Sequence, residues 1–299
     1  MAIHTLDLNF QGVPQVIASY AVPHAKGVLL IDCGPGSTLG NLRASLDRAG
    51  LGGAKITDVL LTHIHLDHAG AAGSLAWQGA RVHCHSRGAP HLIDPEKLLR
   101  SAERIYGDRM ESLWGEFLPV PEDRLAVTGD CEEIEIEGWR FLALDTPGHA
   151  DHHLAYVHGE VCFTGDVGGV RLPGVPHLRV PMPPPEFHLE KWRASLQRLR
   201  AQKIARIAPT HFGIFDDAAA HLAQMERGLD DVERFLEEVM PADPPLEEIT
   251  DRFLEWTRRR VEADGVGHEQ AAALELANPS WMSAAGMQRY WRKHRANAS

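Results

Sequence analysis

With 299 residues, 44% of them hydrophobic, the chain can build one large domain core plus a smaller appendage, and its composition has no bias towards disorder. Thirty basic residues against 41 acidic ones give a formal charge of −11, which argues against a polyanion-binding surface and hence against nucleic acid as a partner. No run of about 18 apolar residues occurs, the N-terminus has no basic and apolar leader pattern, and Cys33, Cys84, Cys131 and Cys162 form no C-x-x-C pair; a soluble cytoplasmic protein without membrane contact is expected.

In chain order, the apolar run Val28 to Ile31 reads as a strand that ends at Asp32. Leu42, Leu46 and Ala49 then fall at helical spacing, and Val59-Leu60-Leu61 predicts a second strand ending at Thr62. Directly after it stands His63-Ile64-His65-Leu66-Asp67-His68, three imidazoles and a carboxylate in six positions. In a chain with 18 His, such a string arises by chance in roughly four of a thousand sequences. Strand alternation sends His63 and His65 to one side, where two ring nitrogens can bind one ion. Asp67 and His68 follow as the chain turns into a helix expected near Ala69, so their side chains can diverge and hold a second ion. Two ions about 3.5–4 Å apart can share a hydroxide and polarise a scissile group. Both coordination shells then need further ligands downstream.

His83 and His85 alternate on the next apparent strand and are taken as structural or supporting residues. Residues 86–118 carry a helical pattern through Leu98, Leu99 and Ala102 and the aromatics Tyr106, Trp114 and Phe117. Their irregular spacing favours outer-layer packing over a pocket wall or lid. Hairpin-like strand pairs are expected at the start of the chain and around residues 125–165.

Three further apolar runs end in candidate ligands. Trp139 to Leu144 leads into Asp145-Thr146-Pro147-Gly148-His149, Val161-Cys162-Phe163 into Thr164-Gly165-Asp166, and Ile204 to Ala208 into Pro209-Thr210-His211. Ligands at strand ends are held by a rigid sheet while loops shape a pocket. His152 and His153, just after the His149 turn, are read like His83 and His85. The proline-rich loop from Gly168 to Pro185 starts beside Asp166, which makes Arg171, His177 and Arg179 candidate substrate contacts. Leu189, Trp192, Leu196 and Leu199 mark a helix before the His211 strand.

After His211 helical periodicity takes over. Leu222, Met225, Leu229, Val232, Leu236 and Val239 form one apolar stripe, Pro241 to Pro245 break that helix, a second runs from Leu246 to about Ala263, and further helical pieces fill residues 268–295. The last piece ends in Arg289, Arg292, Lys293, His294 and Arg295, either a helix end stabilised by its dipole or a cationic pocket edge that grips a carboxylate.

Thr62 to Gly70, Thr146-Pro147-Gly148-His149, Thr164-Gly165-Asp166 and Pro209-Thr210-His211 together resemble the motifs of the metallo-β-lactamase superfamily, most closely its glyoxalase II-like branch. The resemblance spans roughly residues 3–215. It implies an α/β fold, a four-layer αββα sandwich with the metals at one sheet edge, in a domain of residues 1–215 followed by a helical region of 216–299 that contributes to the substrate pocket. It also implies that His63, His65 and His149 bind a first metal, that Asp67, His68 and His211 bind a second, and that Asp166 bridges them. Asp32 matches a strand-end Asp of the family, expected to hold a loop or a ligand, with an ordinary turn Asp as the alternative.

The expected activity is that of a dinuclear metal hydrolase with a bridging hydroxide as nucleophile, zinc as the leading metal and manganese or iron as alternatives. Asp67 and Asp166 are the expected catalytic residues and a small-molecule thioester or ester the expected substrate, by analogy. Lactonase and phosphodiesterase activities use the same machinery, and a mononuclear iron persulfide dioxygenase on this fold is the rival from another reaction class. Homo-oligomerisation stays open.

Overall fold

The computed structural model describes residues 2–296. The first half of the chain runs β1 (His4–Asp7), β2 (Ala18–His24), β3 (Gly27–Ile31), α1 (Leu39–Arg48), β4 (Ile56–Leu60), α2 (Leu66–Ala69), α3 (Ala72–Trp77), β5 (Arg81–His85), α4 (Ala89–Ile93), α5 (Glu96–Tyr106), α6 (Met110–Trp114) and β6 (Leu125–Thr128). There follow β7 (Glu133–Ile136), β8 (Trp139–Asp145), β9 (Leu154–His158), β10 (Val161–Phe163), α7 (Leu189–Arg200), β11 (Arg206–Ala208), α8 (Ala218–Val239), α9 (Leu246–Ala263), α10 (His268–Ala277) and α11 (Ser280–His294).

The strands form a six-stranded sheet in the order β1-β2-β3-β4-β5-β6 and a five-stranded sheet in the order β11-β10-β9-β8-β7. In the first, β1, β2 and β3 pair antiparallel and β3 to β6 parallel. In the second, only β10 and β11 pair parallel.

Side-chain alternation explains why these sheets stack. On β3, Leu29 and Ile31 enter the core between the sheets while Val28 and Leu30 enter the core under α1, α3 and α5. On β10, Val161 and Phe163 face the first sheet and Cys162 faces the helices. A strand with both faces apolar must be covered twice, which gives the four layers αββα. No residue of the α8 stripe from Leu222 to Val239 is left in water: all pack with Leu196 and Leu199 of α7, Ile207 of β11, and Ile249, Phe253 and Tyr290 of α9 and α11. α8, α11 and the start of α9 thus share one apolar core with the second sheet, while Val261 and Leu274 enter the core between the sheets. Among the described residues, no helix is long and apolar enough to cross a membrane.

Three local expectations need correction. Leu125 to Thr128 does not open the hairpin series but adds to the first sheet, parallel to β5; alternation marks a strand without naming its partner. The strand before the His-rich stretch stops at Leu60, so His63 and His65 lie on a loop. The helix expected near Ala69 begins at Leu66, and Asp67 and His68 occupy its single turn.

Candidate metal centre

The loops that leave β3, β4, β8, β10 and β11 meet at one edge of the sandwich. They are stitched across the sheets: Leu154 N donates to Thr62 O at 2.7 Å, Ala18 N to Thr210 O at 2.8 Å, and the buried Tyr20 hydroxyl to Pro209 O at 2.6 Å. Two glycines permit the close approach. A Cβ at Gly165, φ 48°, would lie 2.6 Å from Thr62 Oγ1, and one at Gly148, φ 139°, would lie 2.4 Å from the Trp192 backbone. Only glycine fits, and each sets the residue after it, Asp166 or His149, into the site.

All seven residues singled out from the sequence converge here. His63, His65 and His149 form one group with donor atoms within 4.8 Å of one another, and Asp67, His68 and His211 form another, with His63, His68 and Asp166 grouped between them. His65 Nδ1 lies 3.0 Å from both His63 Nε2 and His149 Nε2. Asp166 faces both sides, Oδ2 at 3.3 Å from His149 Nε2 and Oδ1 at 3.3 Å from His68 Nε2 and 3.6 Å from His211 Nε2. Asp67 Oδ2 stands 3.3 Å from His211 Nε2 and 3.5 Å from His68 Nε2.

The outward ring nitrogens are already committed, which decides what the inward ones can be. His149 Nδ1 donates to Pro181 O at 2.9 Å, His211 Nδ1 to Val16 O at 2.8 Å, and His68 Nδ1 to Asp32 Oδ2 at 2.8 Å. Thr62 Oγ1 donates to Asp32 and so accepts from His63 Nδ1 at 3.1 Å. In the neutral rings the Nε2 lone pairs of His63, His68, His149 and His211 therefore point inward, at one another and at carboxylate oxygens. His68 Nε2 and Asp166 Oδ1 are buried without a hydrogen-bond partner. Converging lone pairs at about 3 Å repel unless a cation lies among them, so this donor set fits divalent metal ions.

Electrostatics divides the two groups. Burial, then neighbouring imidazoles, hold His63 far below the usual histidine range, burial and His149 push His65 down to about 4, and burial also lowers His149. These three rings are neutral, with lone pairs free to bind a cation. At His68 and His211 burial also opposes charge, but the carboxylates of Asp67 and Asp166, with Asp32 beside His68, outweigh it and raise both. Burial raises Asp67 and Asp166 less than the facing histidines lower them, so both are ionised. The second group thus already favours positive charge at its centre.

Asp32 supports this arrangement. Fully buried with φ 52°, it accepts from Thr62 N at 2.8 Å, Thr210 Oγ1 at 2.7 Å and His68. It holds His68 and two loops, and the ordinary turn reading falls away. Cys33 beside it is pushed up by burial and then by Asp32, so it offers no thiolate nucleophile.

A cavity of about 610 Å³ opens above His65, Asp67, His149, Asp166 and His211. Of the four histidines read as supporting, His83 pairs with Asp58 at 3.0 Å, His85 faces Asp145 at 3.5 Å and His153 meets Thr146 Oγ1 at 2.8 Å, whereas His152 lines the cavity. The substrate contacts expected on the proline-rich loop are not there. Arg171 pairs with Asp217, His177 with Asp264 and Arg179 with Glu275; they tie the loop to the C-terminal helices, and the cavity is lined instead by Pro181 and Pro183 to Pro185. The preference for outer-layer packing at residues 86–118 also fails in part: Phe117 is core, but Tyr106 and Trp114 line the cavity. The helical region does reach it, through Glu275 to Met282, while its basic end does not, with Arg292 paired to Asp243 and Arg295 to Glu190 and Glu233. Lys97, Arg109 and Trp281 carried no motif; the helical spacing of residues 98–106 was the one available signal for that wall.

This fold and site belong to one class. The sequence model of the Metallo-beta-lactamase superfamily matches residues 12–211, which include all seven residues, and the chain belongs to that superfamily, as one of its hydrolases. It is 27% identical over 229 residues to the metallo-beta-lactamase fold-containing protein ST1585 of Sulfurisphaera tokodaii, covering 75% of this chain and 84% of the relative. It is 34% identical over 118 residues to the hydroxyacylglutathione hydrolase GloC of Haemophilus influenzae, 38% of this chain and 51% of that one. It is also 34% identical over 141 residues to an atrochrysone carboxyl ACP thioesterase of Aspergillus fumigatus, 46% of this chain and 35% of that one. Among solved structures, the metallo-beta-lactamase family protein TTHA1429 of Thermus thermophilus superposes with a TM-score of 0.67 at 22% identity, over 97% of this chain and 93% of that one, and shares the fold.

Proposed function

We propose that the protein is a dinuclear metal-dependent thioester or ester hydrolase. His63, His65 and His149 would hold one ion, Asp67, His68 and His211 the other, and Asp166 would bridge them. The carrying observation is Asp166, whose two carboxylate oxygens are turned one to each histidine group. Imidazole nitrogen and carboxylate oxygen suit zinc, and the same donors accept manganese or iron. Divalent ions held there would supply Lewis acidity, acidifying a bound water and polarising a substrate carbonyl.

The chain's own groups complete the site. Asp67, with 21% of its side chain exposed, reaches the cavity and would orient the attacking water. Asp32 and the carbonyls of Val16 and Pro181 fix the ring orientations, so that no reorganisation is needed during turnover. The loops crossing the sheet edge keep bulk water from the histidine rings, which are 2% exposed or less at His63, His68, His149 and His211. The thioester preference is supported by the hydroxyacylglutathione hydrolase and ACP thioesterase among the relatives. Four unpaired cysteines, three of them buried, suit a reducing cytoplasm.

Elemental analysis after separate loading with zinc, manganese and iron tests the reading, alongside hydrolysis of a thioester, lactone and phosphodiester panel. About two ions per chain and thioester cleavage are expected. A single iron that resists exchange, with oxygen uptake on a persulfide, would overturn it.

A further inference from the structure

The cavity changes character from floor to mouth. Above the carboxylates and histidines of the floor, α5, α6 and the corner between α10 and α11 present Leu98, Ile105, Leu113, Trp114, Leu276 and Trp281, each half-buried. Tyr106 ties the two sides of this wall, its ring 5.0 Å from Trp114 and 6.1 Å from Trp281. At the exposed margin stand Lys97 and Arg109. Among the described residues neither side chain makes an ion pair. Of the lining's acids, Asp67 and Asp166 belong to the floor, and the two above it are engaged elsewhere: Glu275 takes Arg179 at 2.6 Å and Ser280 Oγ at 2.7 Å, and Glu186 accepts from Asp151 N at 2.9 Å and faces His152 at 3.4 Å. In a chain of charge −11, two unopposed cations at a cavity mouth attract an anion.

A glutathione moiety brings two carboxylates, an ammonium and two amides. Its carboxylates could meet Lys97 and Arg109, but against these apolar side chains its ammonium and amides would lose water without gaining partners, which is costly. An alkyl or aryl arm gains instead, by roughly three- to fourfold in binding per buried methylene.

Resting on the thioesterase reading above, we propose that the substrate is an acyl thioester or ester with an apolar arm of about six to ten carbons and an anionic group, the arm lying between α5, α6 and the α10–α11 corner and the anion meeting Lys97 and Arg109. The class is that of a medium-chain or aryl acyl thioester on an anionic carrier, in place of a small hydroxyacyl group on glutathione.

The test uses the metal-loaded full chain with butanoyl, hexanoyl and octanoyl thioesters of 3-mercaptopropionate and of 2-mercaptoethanol, and a hydroxyacyl thioester of glutathione. We expect kcat/KM to rise roughly tenfold for every two carbons until the wall is filled. The octanoyl compounds should surpass the glutathione thioester. The double variant Lys97→Glu, Arg109→Glu should lower the ratio of anionic to neutral substrate by about tenfold. A flat response to chain length, a preference for the glutathione thioester, or an unchanged charge ratio in the double variant would overturn the proposal. Should no thioester be cleaved, the thioesterase reading fails, and the pocket is decided by calorimetric binding of butanoate, hexanoate and octanoate. Affinity rising three- to fourfold per methylene keeps it, and equal affinities remove it.

Discussion

The floor and the wall of the cavity are built on opposite plans. The floor takes its polar groups from the loops and short helix that follow strands and fixes several of them with a hydrogen bond from behind, so that His68, His149 and His211 are held by Asp32, Pro181 and Val16. The wall takes its groups from helices that join distant parts of the chain, where Tyr106 meets Trp281 through ring contact and a 3.7 Å approach of its hydroxyl to Met282 Sδ. Directed hydrogen bonds tolerate little displacement, whereas apolar contacts can be remade with different side chains. Reaction type is therefore expected to reside in the floor and substrate choice in the wall.

The strongest way to break this division is at the floor. Asp166→Ala removes the carboxylate shared by both histidine groups, and kcat/KM should fall roughly a hundredfold or more with the fold intact by circular dichroism. Activity within tenfold of wild type would contradict the bridging role.

One layer back, Asp32→Ala strands Thr62 N, Thr210 Oγ1 and His68 Nδ1 in a buried site. A loss of about 3–5 kcal/mol in stability is expected, since one partner of a buried charged network is removed. Ten- to hundredfold weaker metal binding should accompany it. Denaturant titration and metal competition measure the two, and an unchanged midpoint with unchanged affinity would return Asp32 to the status of a turn residue.

The smallest effect is expected outside both regions. Arg292→Ala breaks an exposed pair with Asp243, so stability should move by about 0.5 kcal/mol or less and kcat/KM by less than about threefold. A tenfold rise in KM would bring the basic end of α11 back into substrate binding.

The same division separates what was legible in the sequence from what was not. The seven floor residues could be found because chemistry forces polar types into short spacings at the ends of apolar runs. Long helices were equally plain: the stripe from Leu222 to Val239 lies on α8, and the break at Pro241 to Pro245 precedes a helix over Leu246–Ala263. The one-turn helix at Leu66–Ala69 was missed because four residues carry no period. The partner of β6 was missed because alternation reports faces and not neighbours. The wall stayed hidden for a third reason, since Tyr106 and Trp281 each look like ordinary core aromatics until α11 is folded back over α5. Arg171 and Arg179 misled in the opposite sense: polar residues near Asp166 in sequence turn away from the cavity, Arg171 to Asp217 ahead of α8 and Arg179 to Glu275 of α10.

The anchors behind the histidines are not chemically alike. His68 leans on a side chain, Asp32, but His149 and His211 lean on main-chain carbonyls of Pro181 and Val16. A carbonyl survives every side-chain replacement at its own position. In a saturation library scored for activity, position 32 should accept almost nothing, while positions 16 and 181 should accept whatever the surrounding packing allows, and the tautomers of two rings of the proposed metal centre would be inherited through residues whose identity drifts freely.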